Sequence, residues 1–328
     1  MGFSGSVSRL ARWLDTLVSY VPVNLPGLNA ARQTCLRIIG LLALVFLLPA
    51  CSAIKIAYNQ SPDLTYWYLD SYADFSDAQS LRLKADLNGL QAWHRQTQLP
   101  AYAALLQDLQ RQMSADMSQT QACVVFADVR RKLIAVADKS EPALAALVTS
   151  LDASQIQHLE RRFAKGNTEY REEYLDAPAQ KVRALRLDKA ISRAEMLYGR
   201  LDKQQTAMMG RMFDQSVFDA PRAYAERLRR QRDVLQTLRQ LVASRTAGAS
   251  PALQLEPTRT ALRGLMERNF TRSPDAAYRD YIERLTSDGC RIFSELHNTT
   301  TKIQRSKAVE VLNGYETDLR LLAAQIGS

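Results

Sequence analysis

The sequence predicts an all-α fold, a multi-helix bundle of mostly antiparallel helices that follows a cleaved leader. Three observations carry that reading. Apolar residues recur at three- and four-residue steps over most of the chain beyond residue 75, without the alternation of strands. Glycine and proline, 13 and 11 in 328 residues, fall at element ends, while Ala, Leu, Arg and Gln abound. Finally, Ser, Thr or Asp followed three residues later by Gln recurs at 76, 152, 202 and 301, the signature of a reciprocal N-terminal cap.

In chain order the leader comes first. Arg32 and Arg37 flank the apolar run 38–48, which leads into Leu48-Pro49-Ala50-Cys51. Positive flank, short apolar core and small residues form a secretory signal, too short to span a bilayer as a permanent helix. The ending resembles a bacterial lipobox, with leucine at −3, alanine at −1 and cysteine at +1. The resemblance implies cleavage between Ala50 and Cys51, diacylation of the Cys51 thiol and acylation of the freed amine. Acyl chains contribute about 0.8 kcal/mol per buried methylene, so two or more give a stable membrane anchor. Ser52 at +2 is not the aspartate that retains lipoproteins in the inner membrane, which implies the inner leaflet of the outer membrane, facing the periplasm. The competing reading is an ordinary signal or membrane helix in which Cys51 is incidental. Residues 1–31 precede the signal and carry a weak amphipathic pattern at Arg9, Leu10, Trp13, Leu14, Leu17 and Val18.

The expected organisation is a leader (1–50), an anchor with an aromatic-rich segment (51–75) and a helical domain (76–328), with a sub-boundary at 244–252. The formal charge of +9 falls by three without the leader, which holds Arg9, Arg12, Arg32 and Arg37 against Asp15. So mild a basic excess, spread over many helical faces, points to membrane head groups or cell-wall carboxylates and not to nucleic acid. Of four cysteines, Cys35 leaves with the signal and Cys51 carries lipid. Cys123 and Cys290 remain, and in an oxidising compartment they read as a disulfide between early and late parts of the chain, or else as two buried thiols.

Residues 52–75 hold Tyr58, Tyr66, Trp67, Tyr68, Tyr72 and Phe75 and show no clear helical period before Pro62. Rings with polar tips suit either a segment folded back on the bundle or a membrane-proximal belt or ligand groove. Ser76 then opens a helix whose apolar face, Leu83, Leu87, Leu90 and Trp93, runs to Leu99-Pro100, where proline is expected to end it. Tyr102, Leu105, Leu106, Leu109 and Met113 mark a second helix, and Cys123, Phe126, Val129, Leu133 and Val136 a third. Glu141-Pro142 is expected to start a short fourth. Asp152 opens a helix with a stripe from Ile156 to Tyr174, and a long helical stretch begins near Gln180. Asp202 opens the next, with Met208, Met209, Met212 and Phe213; this patch reads as core or as an adaptable client surface. Residues 222–243 form an arginine-rich helix, solvated or else docked on anionic groups. Ser244–Pro251 is the clearest linker. Ser273-Pro274-Asp275 is expected to start a helix with Ser273 as cap, and Gly289 on its seam suggests a close helix approach. Thr301 caps the last helix.

Several motifs together resemble a family of Gram-negative lipoproteins of uncharacterised function. They are Tyr58-Asn59, Tyr66-Trp67-Tyr68-Leu69-Asp70-Ser71-Tyr72, Trp93-His94-Arg95 before Leu99-Pro100-x-Tyr102, Arg161-Arg162-Phe163-Ala164-x-x-Asn167, and Gly289-Cys290-x-x-Phe293-x-x-x-His297-Asn298-x-Thr300. The resemblance implies a periplasm-facing helical lipoprotein and names no activity. A looser likeness is to periplasmic stress chaperones of the Spy and CpxP type. Their Leu-Thr-x-x-Gln helix starts resemble Leu151-Asp-Ala-Ser-Gln155 and Leu201-Asp-Lys-Gln-Gln205, with Phe75–Gln79 and Thr300–Gln304 more distant.

No glycine-rich phosphate loop, CxxC pair, HExxH or GxSxG occurs, and no cofactor or metal is expected. The histidines, His94, His158 and His297, are far apart in sequence. A binding or acid–base site would draw on Trp67, Trp93, His94, Arg95, His297 and Asn298, with His94 and His297 meeting in space. The expected function is therefore non-enzymatic, a lipid-anchored binding or scaffold protein with an envelope protein or cell-wall partner. The alternatives are a chaperone-like holdase and an envelope enzyme built around His94 and His297.

Overall fold

The computed structural model describes residues 50–245 and 251–325, with side chains for 54–245 and 253–325. The leader, the Cys51 side chain, the Ala50–Cys51 cleavage point as a site, and the linker core 246–250 lie outside the described residues. Every regular element among the described residues is helical. In order they are α1 (Ala50–Asn59), α2 (Ser61–Ala73), α3 (Asp77–Trp93), a π-helical turn (His94–Gln98), α4 (Leu99–Gln112), α5 (Gln119–Val148), α6 (Ala153–Tyr174), α7 (Ala179–Tyr198), α8 (Lys203–Asp214), α9 (Ala220–Ala243), α10 (Pro251–Met266), a second π-helical turn (Glu267–Thr271), α11 (Ala276–Asn298) and α12 (Lys302–Ala324). No helix among the described residues is long and apolar enough to cross a membrane.

Two apolar cores organise the bundle. One gathers Met113, Met117, Tyr198, Met209, Leu296 and Leu312 from α4, α5, α7, α8, α11 and α12 and the turns between them. The other gathers Val148, Leu151, Ile156, Leu235, Leu238 and Leu265 around the far end of α5, α6, α9 and α10. At 30 residues, α5 is about 45 Å long and ties one core to the other. The methionine patch is thus core: Met209 and Met212 are buried, and Met209 belongs to the same cluster as Tyr198.

Local chemistry accounts for most helix starts. Ser76, Asp152, Asp202 and Thr301 each make the expected reciprocal cap with a glutamine at the third position, and Ser118 with Gln121 makes a fifth. The start of α11 lies two residues later than expected. Asp275, not Ser273, accepts the capping bond from Tyr278 N–H, while the Ser273 hydroxyl accepts from Asp275 N–H.

Three expectations are corrected. The aromatic segment is helical, as α1 and α2. Its apolar residues occupy several faces because α2 packs on both α3 and α6 while leaving a further face open, so no single stripe appears in the sequence. Pro100 does not end the run at Leu99. The π-turn carries the helix past it, with Leu99 N–H bonded to His94 O five residues back, so proline's missing donor falls where the ladder has already changed register. Pro142 sits inside α5 and does not start a helix. Glu141 beside it is buried and paired with Arg259 and Arg263, and the two halves of α5 are each docked in a core.

Gly289 also departs from expectation. A methyl there would meet nothing within 4 Å, so Gly289 faces open space and does not admit a neighbouring helix.

Candidate functional site

The expected site residues fall into three places. The first is the junction of α1 with the π-turn. Gln91 Nε2 donates to Tyr58 O at 2.6 Å, and Tyr58 Oη lies 3.1 Å from His94 Nδ1. Tyr102 meets the His94 ring edge-on at 5.3 Å. Burial lowers the His94 pKa and raises those of Tyr58 and Tyr102. Arg95 donates to Asn59 Oδ1 at 2.9 Å, to Leu322 O at 3.1 Å and to Gln325 Oε1 at 2.9 Å. Tyr58-Asn59 and Trp93-His94-Arg95 therefore hold α1 and the end of α12 against the turn.

The second place is the start of α5. His297 is fully buried. Its Nε2 lies 2.7 Å from Ala115 O, an acceptor only, so Nε2 carries the proton and Nδ1 accepts from the Tyr198 hydroxyl at 3.0 Å. Burial is the main cause holding the His297 pKa below its usual value. Asn298 clasps Met117, taking its N–H at 2.8 Å and donating to its carbonyl at 3.0 Å. Two turns earlier on α11, Cys290 is joined to Cys123 of α5. The motif from Cys290 to Asn298 thus staples the 113–118 turn and the head of α5 onto α11.

His94 and His297 do not meet; they share no hydrogen-bond or ring partner. Each is held by its own element, α3–α4 or α11. Among the described residues no three His, Cys, Asp or Glu side chains gather as a metal site.

The third place is α2. Tyr66 donates to Ser80 Oγ at 2.9 Å and Tyr72 packs edge-on against Phe163, whereas Trp67 is 63% exposed, with Tyr68 and Leu64 exposed beside it. Aromatics of one segment thus divide between packing inward and facing out.

The arginine helix α9 is not simply a solvated face. Glu226, 4% exposed, binds Arg229 and Arg230; burial works to raise its pKa, but those guanidiniums hold it below the usual carboxylate range. Arg268 grips Asp233 through two bonds, at 3.0 and 2.8 Å, and Asn269 joins them. The Arg268 bond is the main cause lowering the Asp233 pKa. On the opposite side Arg227 and Gln231 hold Asn167 of α6.

A model of the family described as "Family of unknown function (DUF6279)" matches residues 71–249. The chain belongs to that family. The matched DUF6279 region takes in α3 to α9, with Trp93-His94-Arg95 and the Arg161–Asn167 motif, and stops short of Cys290 and His297. No curated protein and no solved structure matches the chain.

A cleft of about 730 Å³ between α5, the second π-turn and the head of α11 gathers residues that sequence reasoning did not bring together. Four arginines line it: Arg130, Arg230, Arg272 and Arg279. They come from three helices, α5, α9 and α11, and the loop before α11, so no spacing in the sequence announces them. In the DUF6279 chain this is where positive charge is concentrated around an open concavity.

Proposed function

We propose that the chain is a lipid-anchored lipoprotein of the outer membrane's inner leaflet, facing the periplasm and acting as a non-enzymatic binding or scaffold protein. The observation that carries this reading is the Cys123–Cys290 disulfide. With Cys35 lost in the leader and Cys51 acylated, it leaves no thiol over, which suits a secreted chain in an oxidising compartment. The exposed face of α2, Leu64, Trp67 and Tyr68, follows soon after Cys51 in sequence and suits an interfacial position. Both candidate histidines are committed to structural hydrogen bonds, which favours binding over acid–base chemistry. Growth with labelled palmitate tests the reading. Label is expected in the wild type and absent from Cys51→Ser. An unlabelled wild type with free thiols at 123 and 290 would overturn it.

A further inference from the structure

The arginine cleft holds charge that the protein does not neutralise. Arg130 donates through one nitrogen to Phe270 O and Thr271 O, at 3.1 and 2.8 Å, and Arg279 through one nitrogen to Ser273 O and Pro274 O, at 2.8 and 3.1 Å. Backbone carbonyls thereby fix both guanidiniums while their remaining N–H donors stay available. Neither these two nor Arg272 has a carboxylate partner within ion-pair distance among the described residues. Arg230 is shared between Glu226 and the Tyr278 ring, and Glu283 is the one acid in the lining. Arg229 and Arg239 of α9, by contrast, each hold a carboxylate. Preset guanidiniums without a counter-charge, around an open cleft, are a recognition surface for carboxylate or phosphate.

The same cleft has an apolar side. Phe126 and Ile282 line it, and Phe270 stands 71% exposed at its rim. Phe126 also lines a second cavity of about 390 Å³, whose lining is mostly apolar, including Leu197, Phe213, Ile292 and Phe293, with Arg186, Arg193 and Asp288 as its charged members. Gly289 opens into that second cavity, on the turns of α11 that follow those lining the arginine cleft. Volumes of this size are those of ligand sites, which run from about 300 to 1,000 Å³.

We infer that the two cavities form one site for a single-chain anionic amphiphile, its head group on Arg130, Arg272 and Arg279 and its chain laid past Phe126 into the space beside Gly289. The inference rests on the binding reading above and supplies its ligand class.

The test uses full-length protein in the neutral detergent dodecyl maltoside, with adducts counted by native mass spectrometry after adding dodecyl phosphate or butyl phosphate. One dodecyl phosphate per chain is expected in the presence of excess neutral detergent with the same alkyl chain. Arg130→Gln with Arg279→Gln should weaken both probes about tenfold or more, the loss expected for charge-assisted hydrogen bonds. Gly289→Leu, which starts from a clear Cβ position in the lining of the second cavity, should weaken dodecyl phosphate and spare butyl phosphate. Unchanged helicity and an intact disulfide certify the fold, and Gly289→Leu carries the test should the arginine variant not fold. No stoichiometric adduct, or wild-type binding in both variants, would overturn the inference. The adduct is counted whether or not Cys51 is acylated, so this outcome and the palmitate result fail independently.

Discussion

Gln79 and Gln155 form a reciprocal amide pair, each Nε2 donating to the other's Oε1, at 3.1 and 2.8 Å. Each also closes its own helix cap: Oε1 accepts from the backbone of Ser76 or Asp152. The second donor of each goes to the loop before the partner helix, Ser150 O or Asp74 O. Gln205 and Gln304 repeat the arrangement bond for bond, with Thr299 O and Arg200 O as the loop carbonyls. Four helix starts are thereby joined as two pairs, α3 with α6 and α8 with α12.

Because every donor and acceptor of these amides is used, replacing one strands its partner in a buried site. Gln155→Ala is expected to lower stability by about 1–3 kcal/mol. Gln155→Glu should cost at least as much, since a carboxylate has no donor for Asp74 O or Gln79 Oε1. Urea unfolding of Gln79→Ala, Gln155→Ala and the double variant gives the coupling energy, which should be well above zero. Additive losses would mean two independent caps.

The caps were legible because each is written within four residues, such as Ser76 to Gln79. Their pairing was not, since Gln79 and Gln155 are 76 residues apart and nothing local selects the partner. The same limit hid the cleft: Arg130, Arg230, Arg272 and Arg279 converge only when α5, α9 and α11 are packed. Pro100 and Pro142 misled for a different reason. Proline reports a lost hydrogen bond, and whether a helix survives that loss depends on tertiary contacts, here the His94–Gln98 turn and the Glu141–Arg259 pair. His94 and His297 read as site residues because their types are reactive. Burial against Tyr58 or Tyr198 makes them structural.

Cys123 and Cys290 are separated by 167 residues. In the chain-entropy account a bridge closing so long a loop stabilises by about 5 kcal/mol, less where the reduced chain keeps structure. Cys123→Ser with Cys290→Ser should therefore lower the urea midpoint markedly, and reductant should lower that of the wild type but not of the variant. The first core should suffer most, because Cys290 and the Met113–Met117 turn belong to it.

Gly89 and Gly289 lie within α3 and α11, and a methyl at either meets nothing within 4 Å. Alanine at either position reduces the freedom of the unfolded chain without a clash, for an expected gain of about 0.5–1 kcal/mol. A loss at Gly289 but a gain at Gly89 would mean that the space beside Gly289 is filled in solution.

Stability should fall on mild acidification, with His297 as a principal cause. Burial depresses its pKa most, Arg305 works in the same direction, and the Ala115 carbonyl and Asp116 oppose them. The unfolded histidine titrates near a pKa of about 6.5, so below that pH the unfolded chain binds the proton that the folded chain refuses. The stabilisation is complete above the unfolded value and shrinks as pH falls toward the lower folded value, by at most about 1.4 kcal/mol per pH unit for this one group. Protonation of Nδ1 would also set a second N–H against the Tyr198 hydroxyl proton, which would have to turn away. Urea midpoints measured from pH 7.5 to 5 should therefore decline in the wild type and decline less in His297→Gln. His94, shifted the same way by burial, accounts for the remainder, and His94→Gln in the same background should flatten the profile further. A profile that stays equally steep in the double variant would place the acid sensitivity on the carboxylates that the arginines hold ionised, Asp233 and Glu226 first among them.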